Sequence, residues 1–150
     1  MSGFPTTLPA PRTPDPMAAP SLRWGVIGPG WIAQRFISSV RGHTRQQVLG
    51  VASRDLGRSM AFADKHGVDR AYGSYRELLA DPDIDVVYIA TPHNAHYPCA
   101  LLSLQAGKHT LVEKPIGLTP SRPPSWPGCR RRRGCSLPRP SGPCSCRSST

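Results

Sequence analysis

Apolar and polar residues come in alternating blocks through the middle of this chain. "LRWGVIG" (22–28) is a short apolar run ending in glycine. "WIAQRFISSV" (31–40) then spaces Ile32, Phe36, Ile37 and Val40 as one face of a helix does. "QQVLGVAS" (46–53) is a second strand-like run. "DLGRSMAFADKHG" (55–67) opens on Asp55, a helix N-cap, and closes on Gly67, a helix C-cap. "DRAYGS" (69–74) predicts a short third strand and "YRELLAD" (75–81) a short helix. "PDIDVVYIATP" (82–92) is apolar from Val86 to Ala90, as a buried strand is. "HYPCALLSLQAG" (96–107) predicts a helix ending at Gly107, and "KHTLVEKP" (108–115) one more strand.

Strands that alternate with helices imply parallel strands joined by right-handed crossovers. A strand apolar along its length, such as 86–90, fits a sheet covered on both faces. The predicted fold class is therefore α/β, a doubly wound parallel sheet over 21–119, and a chain of 150 residues has room for one such domain.

The two ends depart from this pattern. Residues 1–20 and 120–150 hold most of the 18 prolines, and both read as disordered extensions. Met17 is a second candidate start. The net charge of +10 is carried mainly by the tail, which has seven arginines and no acid. A basic chain suggests nucleic acid or an anionic surface as partner. Here that suggestion rests on the tail alone, where no aromatic platform or recognition fold accompanies Arg130–Arg133; no nucleic acid and no membrane partner is expected. Four of the five cysteines (Cys129, Cys135, Cys144, Cys146) also lie there, at spacings that match no zinc pattern. The N-terminus shows no basic region followed by an apolar run, and no apolar stretch is long enough to span a membrane. The expectation is a soluble cytoplasmic protein with reduced thiols.

The chemistry begins where the first strand meets its helix. "GPGWIA", Gly28 to Ala33, is G-x-G-x-x-A directly after a strand and opening a helix. Gly28 permits the tight turn, Gly30 leaves room for a pyrophosphate, and Ala33 lets helix and strand pack closely. The helix start, at Trp31 and Ile32, offers free N–H groups and partial positive charge to the phosphates. The second strand ends in Ser53 and Arg54, where an NAD-binding domain would carry an acid, and Asp55 comes slightly late. A hydroxyl followed by Arg suits a 2′-phosphate, so NADP is favoured, with NAD the alternative. The bland reading leaves Arg54 as a solvated charge and Asp55 as a helix cap.

"GVIGPGWIA" followed by "YIATPHNAHYPCALLSLQAGKHTLVEKPIGLT" (88–119) resembles the Gfo/Idh/MocA family of NAD(P)-dependent oxidoreductases. The likeness covers about 22–119, and AGKHxLxEKP is its most specific part. Among the family's branches it most resembles the trans-1,2-dihydrodiol dehydrogenase-like and NADP-linked sugar reductase groups. The resemblance implies a Rossmann NAD(P)-binding domain and hydride transfer on a sugar- or diol-like hydroxyl or carbonyl. It places Thr91, Pro92, His93 and Asn94 at the carboxyl end of the fourth strand, beside the nicotinamide. His96 matches the family's histidine at the start of the next helix. Glu113 and Lys114 match the E-K-P motif, whose lysine contacts the cofactor ribose and the substrate and assists proton transfer. Moving a hydride at an alcohol carbon does need a group that handles the hydroxyl proton, and a partly buried lysine at a strand end suits that task. The bland readings are loop and cap roles for His93 and His96, and a surface role for Lys114.

The resemblance also implies a second, larger α+β domain that forms the substrate pocket and oligomer contact and supplies a further histidine. The 30 residues after Pro120 are too few for it. On sequence alone the chain is therefore expected to be the cofactor domain, inactive by itself, with a non-catalytic NAD(P)-binding module as the alternative and a basic-tailed nucleic-acid-interacting protein as a remoter one. After Ser121 the family likeness stops, and "RPPSWPGCRRRRGC" follows. Read in a shifted frame, the degenerate codons of 122–147 permit "AAELA…AAAGVFLAEALWTVFLP", a helix and then a buried strand. The tail is thus expected to be a frameshift product.

Overall fold

The computed structural model describes residues 14–117. The C-terminal tail from 118 onward, with the expectation of a frameshift, and residues 1–13 of the proline-rich extension lie outside the described residues. Five strands and four helices alternate: β1 (Arg23–Ile27), α1 (Trp31–His43), β2 (Gln47–Ala52), α2 (Leu56–His66), β3 (Arg70–Tyr72), α3 (Tyr75–Ala80), β4 (Val86–Ile89), α4 (His93–Gln105) and β5 (His109–Val112). All strand pairs are parallel, in the order β3-β2-β1-β4-β5. This is the doubly wound α/β sheet that the alternation predicts. The chain winds from β1 outward to β3, then crosses back over to β4, and a crevice opens between β1 and β4 at that reversal.

The strands form because they are apolar on both faces. Val26, Ile27, Val51, Val87 and Ile89 have no exposed surface, and burying each such side chain stabilises the fold by roughly 1.5–3 kcal/mol. On one face Val26, Val48, Val51 and Tyr88 pack with Ala33 and Ile37 of α1 and Ala63 of α2. Phe36 lies flat on Tyr88, with ring centroids 4.0 Å apart.

Local signals set the helix ends. Asp55 caps α2 through the Arg58 N–H, and Gly67 ends it in the left-handed conformation (φ 63°). Ser74 caps α3 through the Glu77 N–H. Two boundaries differ from the sequence reading. The last helix starts at His93 rather than 96, with Pro92 as its N-cap, because Pro fits the position just before a helix and asks for no N–H bond. Within the proline-rich extension, Pro16–Ala18 forms one exposed 3-10 turn capped by Asp15. Proline is tolerated at a helix's first position, which the count of prolines alone conceals.

Candidate functional site at the carboxyl ends of the strands

The turn after β1 is pinned on both sides. Gly28 N–H donates to Ala52 O of β2 at 2.9 Å, and Gly30 N–H closes back on Gly28 O at 2.9 Å. Gly28 has φ 97°, and a Cβ there would sit 2.8 Å from Ala90 O at the end of β4. Any side chain would meet both a strained backbone and a clash. Gly30 differs: a Cβ added to it meets nothing within 4 Å. The space above it is open, which is what a bound phosphate requires. Gly30 is also the N-cap of α1 and provides no side-chain cap, so the first-turn N–H groups of that helix remain for a ligand.

Around this turn lies a cleft of about 520 Å³. Gly28, Pro29, Gly30, Trp31 and Ile32 form one wall, and Ser53, Arg54, Asp55, Arg58 and Tyr75 the far end. Ala90, Thr91, Pro92 and His93 close the β4 side. Nine of the residues singled out from sequence therefore line one cavity: Gly28, Gly30, Trp31, Ile32, Ser53, Arg54, Thr91, Pro92 and His93.

The far end is cationic. Arg54 and Arg58 stand at the N-terminus of α2, whose first turn holds no acid. Positive charge there opposes the helix dipole by about 0.3–1 kcal/mol. Among the described residues neither arginine forms an ion pair. Two unpaired cations placed against a dipole break a local rule, and such exceptions gather at functional sites. Tyr75 stands with them: burial pushes its hydroxyl's pKa up, while Arg54 and Arg58 pull it down. Asp55 spends its carboxylate on the Arg58 N–H at 3.3 Å. The Ser53 hydroxyl is engaged in its own turn, donating to Asp55 O at 2.6 Å and accepting from Asp55 N–H at 2.9 Å. The anion-facing groups at this end are thus the two guanidinium groups, more than the Ser53 hydroxyl that the sequence reading paired with Arg54.

At the opposite end, Thr91 is 7% exposed and its Oγ1 has no hydrogen-bond partner among the described residues. Cys99 lies near it, and burial pushes the thiol's pKa up, against smaller pulls from Thr91 and Arg54. A thiol is a weak partner, and no well-formed hydrogen bond joins the two. A buried orphan oxygen in the wall of a cleft fits a polar ligand atom.

Four of the sequence candidates do not line the cleft. Asn94 is exposed in the first turn of α4. Glu113 accepts a short hydrogen bond from the Tyr88 hydroxyl. Lys114 is exposed rather than partly buried as the sequence reading expects: it lies two positions past the end of β5, and among the described residues no element covers it. His96 is 1% exposed, with Nε2 2.7 Å from Thr91 O and Nδ1 2.9 Å from Pro115 O. Sequence reasoning missed Arg58 and Tyr75. Arg58 stands four positions after Arg54, a spacing that puts neighbours on one helix face. Tyr75 has no comparable local signal, since only the packing of α3 beside β2 brings it in. Among the described residues no cluster of His, Cys, Asp or Glu could hold a metal ion, and no helix is long and apolar enough to cross a membrane.

A glycine turn between strand and helix, at the reversal point of a parallel sheet, defines a dinucleotide-binding Rossmann domain. The chain belongs to the Gfo/Idh/MocA oxidoreductases: the family described as "Oxidoreductase family, NAD-binding Rossmann fold" matches residues 22–124. The chain is 47% identical over 100 residues to trans-1,2-dihydrobenzene-1,2-diol dehydrogenase from Bos taurus, covering 65% of this chain and 30% of the relative. An NAD-binding oxidoreductase from Klebsiella pneumoniae superposes with a TM-score of 0.62 at 34% identity, over 65% of this chain and 28% of that one. The 3-ketoreductase KijD10 from Actinomadura kijaniata, solved with NADP, gives 0.61 at 33% identity, over 65% and 31%. The chain thus spans about 30% of the length of the curated relatives it matches.

Proposed function

We propose that this chain binds NADP(H) across the carboxyl ends of its strands and forms the cofactor half of an oxidoreductase acting on a diol- or sugar-like hydroxyl or carbonyl. The observation that carries the reading is the cleft itself, with an uncapped helix start and open space at Gly30 in its middle and two unpaired arginines at its far end. The pyrophosphate rests on the N–H groups at the start of α1. Arg54 and Arg58 hold the adenosine 2′-phosphate, supported by Tyr75, while Asp55 is turned away to cap its helix. This favours NADP over NAD. Thr91 and His93 stand at the nicotinamide end, where Thr91 Oγ1 can bond the carboxamide. Bound here, the cofactor supplies a hydride acceptor or donor.

Names carried by the relatives support a small hydroxyl- or carbonyl-bearing substrate: a dihydrodiol dehydrogenase and a 3-ketoreductase solved with NADP and TDP-benzene. Lys114, matched to the family's E-K-P lysine, takes the hydroxyl proton in this reading. Lys114 is exposed and is not among the residues that line the cleft. The 150-residue chain therefore binds cofactor but does not turn over substrate by itself. The test is calorimetric titration of the chain with NADP+ and NADPH, run beside an assay for NADP-linked oxidation of diols and sugars. Saturable one-to-one binding without turnover is the expected outcome. Absence of binding refutes the cofactor site, and robust turnover refutes the division of labour.

A further inference from the structure

We infer that the Trp31 side chain, braced by Arg35, folds over the pyrophosphate of a bound dinucleotide and shields it from water. This deepens the proposed function and rests on it. Trp31 is the first residue of α1 and stands in the cleft wall. At 67% it is the most exposed large apolar side chain among the described residues. The core makes no use of it, since α1 buries Ala33 and Ile37 instead. A large aromatic ring left in water at the rim of a cleft is surface that a ligand can cover.

The space beside this ring suits a pyrophosphate. Gly30 directly precedes it, and a Cβ on Gly30 would meet nothing within 4 Å. The same glycine caps α1 without a side chain, so first-turn N–H groups remain for phosphate oxygens. The helix start is not the sole sign of a ligand. In the β4 wall of the same cleft, Thr91 is 7% exposed and its Oγ1 has no hydrogen-bond partner among the described residues.

Arg35 lies one turn along α1, and its guanidinium carbon is 5.9 Å from the centroid of the indole. That is within cation–π reach, and residues four apart share a helix face. Among the described residues Arg35 forms no ion pair. The guanidinium limits the swing of the ring, which lowers the entropy lost on closing. It also adds positive charge near phosphates that backbone N–H groups hold. A ring closed over the pyrophosphate removes water, and the hydrogen bonds beneath it strengthen as the local dielectric falls. NAD and NADP share the pyrophosphate, so Trp31 acts on affinity for both. Arg54 and Arg58, which hold the 2′-phosphate in the proposed function, act on NADP.

The test pairs calorimetry with acrylamide quenching of tryptophan fluorescence, both on the full chain with NADP+ and NAD+. The other tryptophans are Trp24 and Trp126, so the Trp31 signal is the difference between the wild-type and Trp31→Phe chains. That signal should be open to acrylamide in the free chain and protected once NADP+ saturates. Trp31→Ala should weaken NADP+ and NAD+ alike by about tenfold, as uncovering a large aromatic side chain does, with the urea midpoint near wild type. Arg35→Gln should weaken both by about threefold, the scale of an exposed cation–π contact, and Arg35→Lys should restore most of that loss. A Trp31 as open to acrylamide in the saturated chain as in the free chain overturns the inference. So does a Trp31→Ala chain whose loss is confined to NADP+, or one that binds both dinucleotides as the wild type does. If Trp31→Ala fails to fold, the protection of the wild-type indole still decides. The underlying reading fails separately: a wild-type chain that binds neither dinucleotide removes both proposals, whereas binding that leaves Trp31 exposed removes only this one.

Discussion

The two ends of the sheet are built on opposite principles. At the amino ends of the strands, charge is matched with charge. Arg23 bonds Asp83 at 3.1 Å and Asp85 at 2.9 Å, and Arg70 bonds Asp81 at 2.6 Å and Asp83 at 2.8 Å. Tyr72 donates to Asp81 at 2.5 Å, and Lys108 Nζ caps Asp81 O and Ile84 O at 2.7 Å each. At the carboxyl ends the polar groups are left waiting. Among the described residues Arg54 and Arg58 form no ion pair, α1 has no side-chain cap, and Thr91 Oγ1 has no hydrogen-bond partner. One end closes the fold; the other holds interactions in reserve for a ligand. Stability and binding should therefore respond to different substitutions.

The largest effect is expected at Gly28, where one residue of the carboxyl end serves both the fold and the site. A Gly28→Val chain faces a positive φ and a clash with Ala90 O. It should lose roughly 2–4 kcal/mol of stability, combining backbone strain with overpacking, and should bind no NADP+. Urea unfolding and titration measure the two losses together. Gly30→Val sharpens the comparison, since its side chain has free space in the unliganded fold. Its urea midpoint should stay near wild type while NADP+ affinity collapses. A large stability loss at Gly30 would contradict an open phosphate space.

Arg54→Ala and Arg58→Ala come next. Each should weaken NADP+ binding by about tenfold or more, as losing a charge-assisted hydrogen bond does, and should leave NAD+ binding and the melting temperature nearly unchanged. At the other end Asp81→Asn should do the reverse. It should lower the melting temperature by roughly 5 °C, a shift worth about 1 kcal/mol in a domain of this size, without altering NADP+ affinity.

The smallest effect concerns pH. The Tyr72 hydroxyl and Arg70 hold the Asp81 carboxyl at about 2, and Arg23 holds Asp85 at about 2, both against burial. A depressed carboxylate stabilises the fold in full above its ordinary value and loses that contribution as protons bind. Stability should thus be level above about pH 4 and decline from there toward pH 2. Melting curves between pH 6 and 2 would show it, and Asp85→Asn should flatten the decline.

The fold was largely legible because its signals are local. Apolar runs such as 86–90, the Asp55 and Gly67 caps and the glycine turn each depend on neighbours in sequence. The cleft was legible where it follows strand ends, at Gly28, Gly30, Arg54 and Thr91. It was not legible where tertiary packing decides. Tyr75 reaches the cleft only because α3 packs beside β2. His96 reads as a polar residue at a helix start, and only the fold reveals it buried between two carbonyls. Ser53 reads as a free hydroxyl, yet it is engaged in its own turn. The start of α4 was missed by three residues because "TPHNAH" has no apolar periodicity to mark it.

The most direct test of the account is the ratio of NADP+ to NAD+ affinity, measured by calorimetry on the wild-type chain and on an Arg54→Ala/Arg58→Ala chain. The account predicts that the wild type prefers NADP+ by at least about tenfold, the worth of one charge-assisted contact, and that the double variant binds both dinucleotides alike. Equal affinities in the wild type, or a preference that survives loss of both arginines, would contradict it.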